Sequence, residues 1–173
     1  ARIALKIARH FVADTPPPSL VARLRHALDR SDGSLDALAR TLVVAPEAWA
    51  EGRAKFKTPY EFLVSAHRAL ELPPDDPARL ADYAATSGHS PLWAPSANGA
   101  SDRAEAWTTS LGLVRRLDLA RWLSERAGAP EPAAVAGQAL GPLLTVRTEG
   151  VLRGAERKDA VALLLLSPEF QYR

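Results

Sequence analysis

Apolar residues recur every three to four positions along most of the chain, the spacing of one face of an α-helix. Ile3, Ile7 and Phe11 stand at i, i+4 and i+8 and predict a first helix with those three side chains inward. The stretch Asp14 to Pro18 stops it, because each proline disfavours helical geometry in the residue before it and lacks an N–H. A second helix follows Ser19, with Leu20, Leu24 and Leu28 on one face. Ser31 to Gly33 ends it, and Ser34 is placed to cap a third helix whose inward side carries Leu35, Leu38 and Leu42.

The clearest local signal is Thr58-Pro59-Tyr60-Glu61: a capping threonine, a proline suited to the first helical position, and a glutamate that completes a capping box. Phe62, Leu63, Ala66 and Leu70 then form an apolar stripe. Asp76-Pro77 repeats the start logic before Leu80, Tyr83 and Ala84, and Gly88 is a C-terminal stop. From Gly88 to Ala104 no period is sustained, and the residues around 88–107 read as a long structured loop. A long helix resumes near Thr109 with Leu113, Leu117 and Trp122 inward. Shorter helical pieces follow at Pro132–Leu140 and Glu149–Gly154, then a last helix from Glu156 to Leu166. The segment Leu42 to Trp49 echoes Leu164 to Tyr172: an apolar helix end, a small residue, Pro-Glu, then aromatics predicted to fold back on the core. Val161 to Leu166 has the length of a buried strand, but its leucines and charged lead-in favour a helix. The expected fold is all-α, an irregular bundle of about 7–9 helices. It is read as a single helical domain over residues 1–173.

Composition narrows the function classes. The longest apolar run, Ala160 to Leu166, is far short of the roughly 20 residues of a membrane helix. Without cysteine, disulfide and thiolate chemistry are excluded. The net charge of +2 hides a polarity. Residues 1–30 carry a net of +4 and residues 31–106 a net of −4, a distribution that steers an acidic partner to the N-terminal helices or simply solvates a helix face. The opening residues carry charges throughout and lack the apolar core of a signal peptide. The chain neither begins with methionine nor contains one, which points to a fragment of a longer protein.

No catalytic motif emerges. His10, His26, His67 and His89 are scattered without metal-ligand spacing, so no metal site is expected. Phosphate-binding glycine loops and a nucleophile elbow are absent from the sequence, and no cofactor is implied. Short basic clusters at Arg23-Leu-Arg25-His26 and Arg115-Arg116 lack a recognition-helix context, so nucleic acid is not an expected partner. The best binding constellation is His89, Trp93, Asn98, Asp102 and Trp107 lining a groove, with Arg116 as an anion anchor. Against it stands a plainer reading in which Trp93 and Trp107 plug the core and Asn98-Gly99 makes a turn. Lys57, Glu61 and Arg68 form a second polar set, with Glu61 already explained as a cap.

Several segments taken in order resemble a known family. These are Phe11 to Asp14 with Pro16 to Pro18, Lys57 to Phe62, Pro91 to Pro95, Thr109 to Ala120, and the closing Ser167 to Arg173. Together they are similar to the C-terminal portion of the bacterial family catalogued as domain of unknown function 1800. Where that family continues its Pro-rich loop into Gly-Trp-Pro, this chain has Gly99-Ala100-Ser101. The resemblance carries no established activity. It implies an upstream portion preceding Ala1 and, since many members look exported, an extracytoplasmic setting.

Two functional expectations follow. The first is a non-catalytic helical scaffold or protein-interaction module, whose partner is another protein or the missing N-terminal part of the same protein. The second is part of an enzyme active site completed by upstream residues, with the 88–107 loop lining a ligand pocket.

Overall fold

The computed structural model describes residues 2–50, 52, 54–73, 76–89 and 99–173. Trp93, Asn98 and the rest of 90–98 within the expected 88–107 loop lie outside the described residues. Among those described there are ten α-helices and no strand, so the fold is all-α, as the periodicity predicts. The chain divides into two compact units, Ala1–Lys55 and Phe56–Arg173.

The first unit holds α1 (Arg2–Phe11), α2 (Pro18–Arg30) and α3 (Leu35–Val44), then a single 3-10 turn at Pro46–Ala48. Leu20, Leu24 and Leu28 are buried as expected. The phase of α1 is not the expected one: Ala4 and Ala8 are buried with Val12, while Ile3 is 53% and Phe11 55% exposed. The alanines let α1 lie close to α2, and a close helix approach selects small side chains over large ones at the contact. On α3, Leu38 is buried behind a Ser34 cap that accepts from the Ala37 N–H, but Leu35 is exposed. Buried Lys55 pairs with the Asp14 carboxylate, and a single parallel bridge joins Ala13 to Ala54.

The second unit holds α4 (Pro59–Ala69), α5 (Pro77–Thr86), α6 (Ser110–Arg126), α7 (Pro132–Leu140), α8 (Val146–Gly154), α9 (Arg157–Leu166) and α10 (Pro168–Gln171). Prolines occupy the first turn of α4, α5, α7 and α10, as one does in α2. The predicted capping box is present: Thr58 accepts from the Glu61 N–H, and Glu61 accepts from the Thr58 N–H at 2.8 Å. The apolar run of α9 explains its place at the centre. Ala160, Val161, Ala162, Leu164 and Leu165 are all buried, against α6, α7, α8 and α10. Full burial of Val161, Leu164 and Leu165 is worth about 1.5–3 kcal/mol each.

On α6 the expected inward residues are met in part: Trp122 packs against the core and Leu117 is half-buried. Leu113 is exposed, and the buried positions are Gly112, Arg116, Leu119, Ala120, Leu123 and Ser124. Three of these carry no apolar side chain to signal the face. Ser124 satisfies its hydroxyl by donating to the Lys158 carbonyl at 2.8 Å, which joins α6 to the start of α9. The echo of Pro46 and Pro168 holds as two short helical turns, and Phe170 enters the core. Trp49 does not: it is 71% exposed, because its indole N–H donates to the Val43 carbonyl at 2.9 Å and holds the ring against the end of α3.

Candidate functional site

The end of α5 and the middle of α6 bring together the polar side chains of the second unit. Asp76 caps α5 by accepting from the Ala78 N–H, and Tyr83 and Ser87 stand one turn apart at its far end. Gly88, at φ +85°, turns the chain there, and the His89 N–H returns to the Ala84 carbonyl at 2.8 Å. A left-handed residue closing a helix in this way favours glycine. The 3-10 turn at Ala104–Ala106 then delivers Trp107, and Thr109 caps α6. Gly112 admits the turn: a Cβ there would lie 2.7 Å from the Trp107 carbonyl oxygen.

Arg116 is 1% exposed. Its Nη1 donates to Gln171 Oε1 at 2.8 Å, its Nη2 donates to the Lys57 carbonyl, and its guanidinium lies 4.4 Å from the Phe56 ring centroid and 4.9 Å from that of Phe62. Every one of these partners is formally neutral. Burial lowers the Arg116 pKa to about 10, against the opposing pull of Tyr83 and Glu61. Gln171 is fixed in turn, donating from Nε2 to the Leu165 carbonyl at 2.7 Å.

Glu61 supplies the nearest negative field, yet its oxygens are engaged with the Thr58 N–H and with Arg173 Nε at 2.8 Å. Burial opposes its ionisation, and the Thr58 bonds with the Arg173 charge outweigh it, so its carboxyl titrates below the usual range. His89 is half-buried, its ring 5.1 Å from that of Trp107 and 6.5 Å from that of Tyr60. Burial pushes its pKa down while Glu61 pulls the other way, so the neutral ring is favoured.

Four buried polar atoms here have no hydrogen-bond partner: Arg116 Nε, Tyr83 Oη, Ser87 Oγ and His89 Nδ1. Tyr83 and Ser87 influence one another, and Tyr83 feels the Arg116 charge; burial dominates and raises the phenol pKa. The Tyr83 ring also walls a groove of about 320 Å³ between α5 and α6, with Leu63, Thr86, Asp118 and Trp122 around it.

Of the residues expected to line a groove, the structure sets His89 beside Trp107, while the Arg116 guanidinium faces Gln171, the Lys57 carbonyl, Phe56 and Phe62. Trp107 is buried at 3% exposure, the core plug of the plainer reading. Asp102 is half-buried before the Ala104–Ala106 turn. Trp93 and Asn98 lie outside the described residues. Lys57 and Glu61 are engaged through the Lys57 carbonyl and the cap, while Arg68 is exposed. Sequence reasoning missed Tyr83, Ser87 and Gln171. The i, i+4 spacing of Tyr83 and Ser87 is legible, whereas Gln171 is brought in by a contact across 55 positions.

Among the described residues no group of three or more His, Asp or Glu is placed to hold a metal ion, and no helix is long and apolar enough to cross a membrane. The model of the family of proteins of unknown function DUF1800 matches residues 1–172. The chain belongs to that family. No curated protein and no solved structure matches this DUF1800 chain.

Proposed function

We propose that this DUF1800 chain is a non-catalytic helical scaffold and protein-interaction module. The observation that carries this reading is the use made of Arg116. The residue expected to anchor an anion has two of its three nitrogens committed to Gln171 and to the backbone, in the service of the fold. Trp107 is likewise sealed into the interior. On the first unit Ile3 and Phe11 are exposed on the helix that also carries exposed Arg2 and half-buried Lys6 and Arg9. Apolar anchors ringed by cations suit an acidic protein partner, with charge governing the rate and side of approach.

The test is photo-crosslinking from position 11 in the producing cell, repeated with Arg2, Lys6 and Arg9 reversed to glutamate. A protein captured by the native chain and lost on charge reversal or at high salt supports the reading. No salt-sensitive complex sinks it. A second reading, a ligand site completed by upstream residues, is favoured by the atoms that Arg116, Tyr83 and Ser87 leave unpaired.

A further inference from the structure

We propose that Lys57 and Arg68 hold a phosphate group in the groove where the later half of α4 meets α7 and α10. The groove encloses about 310 Å³ and joins two members of the polar set marked in the sequence, with Ser65, Gln138 and Phe170 around them. Among the described residues no Asp or Glu lines it. Three other grooves of the second unit balance their charges: Glu131 and Glu149 against Arg153 and Arg157, Glu169 against Arg147, and Asp82 and Asp118 against Arg79 and Arg115. Two cations lining one space without a carboxylate call for an anion.

Arg68 is not needed as a helix cap. A cation in the last turn of a helix ordinarily answers its orphan carbonyls. On α4 these are already met, since the Leu70, Glu71 and Leu72 N–H groups bond the Ala66, Arg68 and His67 carbonyls at 3.1, 3.2 and 3.0 Å. Lys57 is set in place by its backbone, with its N–H on the Gln171 carbonyl and its own carbonyl on Arg116. Its ammonium lies 4.0 Å from the Phe170 ring centroid, and a cation placed in advance loses little freedom on receiving a ligand.

The two charges come from separate elements and match a phosphate monoester near neutral pH, whose three terminal oxygens suit an ammonium and a guanidinium fork together. A lone carboxylate leaves one of the two charges unanswered. Glu71 is joined to the rim through Gln138, which donates to it from Nε2 at 2.6 Å, but it does not line the groove. With Glu71 counted, the surroundings stay positive. Ser65 gives its proton to the Glu61 carbonyl and is left an acceptor, a partner for a hydroxyl on the organic part of an ester. Val64 and Ala139 supply apolar wall for its carbon skeleton.

The experiment is calorimetric titration of the full chain with sodium phosphate, glycerol phosphate, sodium acetate or sodium chloride at equal ionic strength and pH 7.5. The expected result is saturable one-to-one binding of phosphate or glycerol phosphate, weakened about tenfold by Lys57→Gln and by Arg68→Gln. Arg68 is exposed and Lys57 half-buried, so both variants are expected to fold, which their melts verify. Arg147→Gln removes a positive charge from another groove of the same unit and is expected to leave the affinity within about twofold. Tighter binding of glycerol phosphate marks an ester as the occupant, and tighter binding of phosphate marks the free ion. No saturable binding of either overturns the proposal, as does an affinity unchanged in both variants or equally reduced in Arg147→Gln. Acetate bound as tightly as phosphate overturns the ligand class.

Discussion

Gln171 Oε1 accepts from Arg116 Nη1 at 2.8 Å, and that bond ties the middle of α6 to α10 across 55 positions of chain. The tie is redundant in direction: Lys57 donates its backbone N–H to the Gln171 carbonyl at 2.8 Å while its own carbonyl receives Arg116. The segment before α4, the centre of α6 and the end of the chain therefore meet at one guanidinium.

Gln171→Ala is expected to lower stability by about 1–3 kcal/mol, the cost of leaving a buried charged donor unmatched. Arg116→Met with Gln171→Leu removes both polar partners together, and is expected to cost less than the sum of the two single changes. Urea unfolding of the four proteins of that cycle measures the coupling. Strict additivity is the outcome that refutes a direct link.

Gly112→Ala is expected to destabilise, although alanine is the better helix former by up to about 1 kcal/mol. The added carbon would lie 2.7 Å from the Trp107 carbonyl oxygen, and backbone cannot yield as a flexible side chain can. The expected loss is about 1–3 kcal/mol, read as a lower denaturation midpoint. Gly150→Ala, where a Cβ meets nothing, serves as the opposite control and is expected to be neutral or stabilising.

Acid should weaken the fold in two stages. His89 has its folded pKa below the ordinary 6.5, so above 6.5 both states are neutral and it contributes nothing. As pH falls below 6.5 the unfolded chain takes up a proton that the folded chain resists, and stability drops. Glu61 and Glu169 have folded pKa values below 4.5, so the stability they add is complete above 4.5 and disappears as pH falls through the folded values. Urea midpoints between pH 8 and 3 should show both declines, and His89→Gln should flatten the first alone.

The phase of α1 is open to direct test. Ile3→Ser and Phe11→Ser alter exposed residues and are expected to change stability by no more than about 0.5 kcal/mol. Ala8→Leu overfills a fully buried contact and is expected to cost about 1–3 kcal/mol. The reverse order in circular-dichroism melts would restore the stripe of large residues as the inward face.

Local chemistry was legible in the sequence, and long-range chemistry was not. Thr58, Pro59 and Glu61 announce α4 because a cap is decided by three neighbouring residues. Pro132 to Leu140 and the run ending at Leu166 are found for the same reason. The inward face of α1 and most of that of α6 escaped because periodicity weighs side chains by size and greasiness. Ala4 and Ala8 are selected for being small, and Gly112, Arg116 and Ser124 are buried for close approach or hydrogen bonding. Arg116 itself was legible as a cation of interest, but its partner Gln171 becomes visible only once α10 is folded into place.

The prolines at the first turns of α2, α4, α5, α7 and α10 act as fixed stops on the register of the whole chain. The proline ring disfavours helical geometry in the residue before it, so a helix is hindered from lengthening backwards into the connecting segment. Extra residues inserted ahead of such a stop are absorbed as slack in the connection, and the helix behind it keeps its phase.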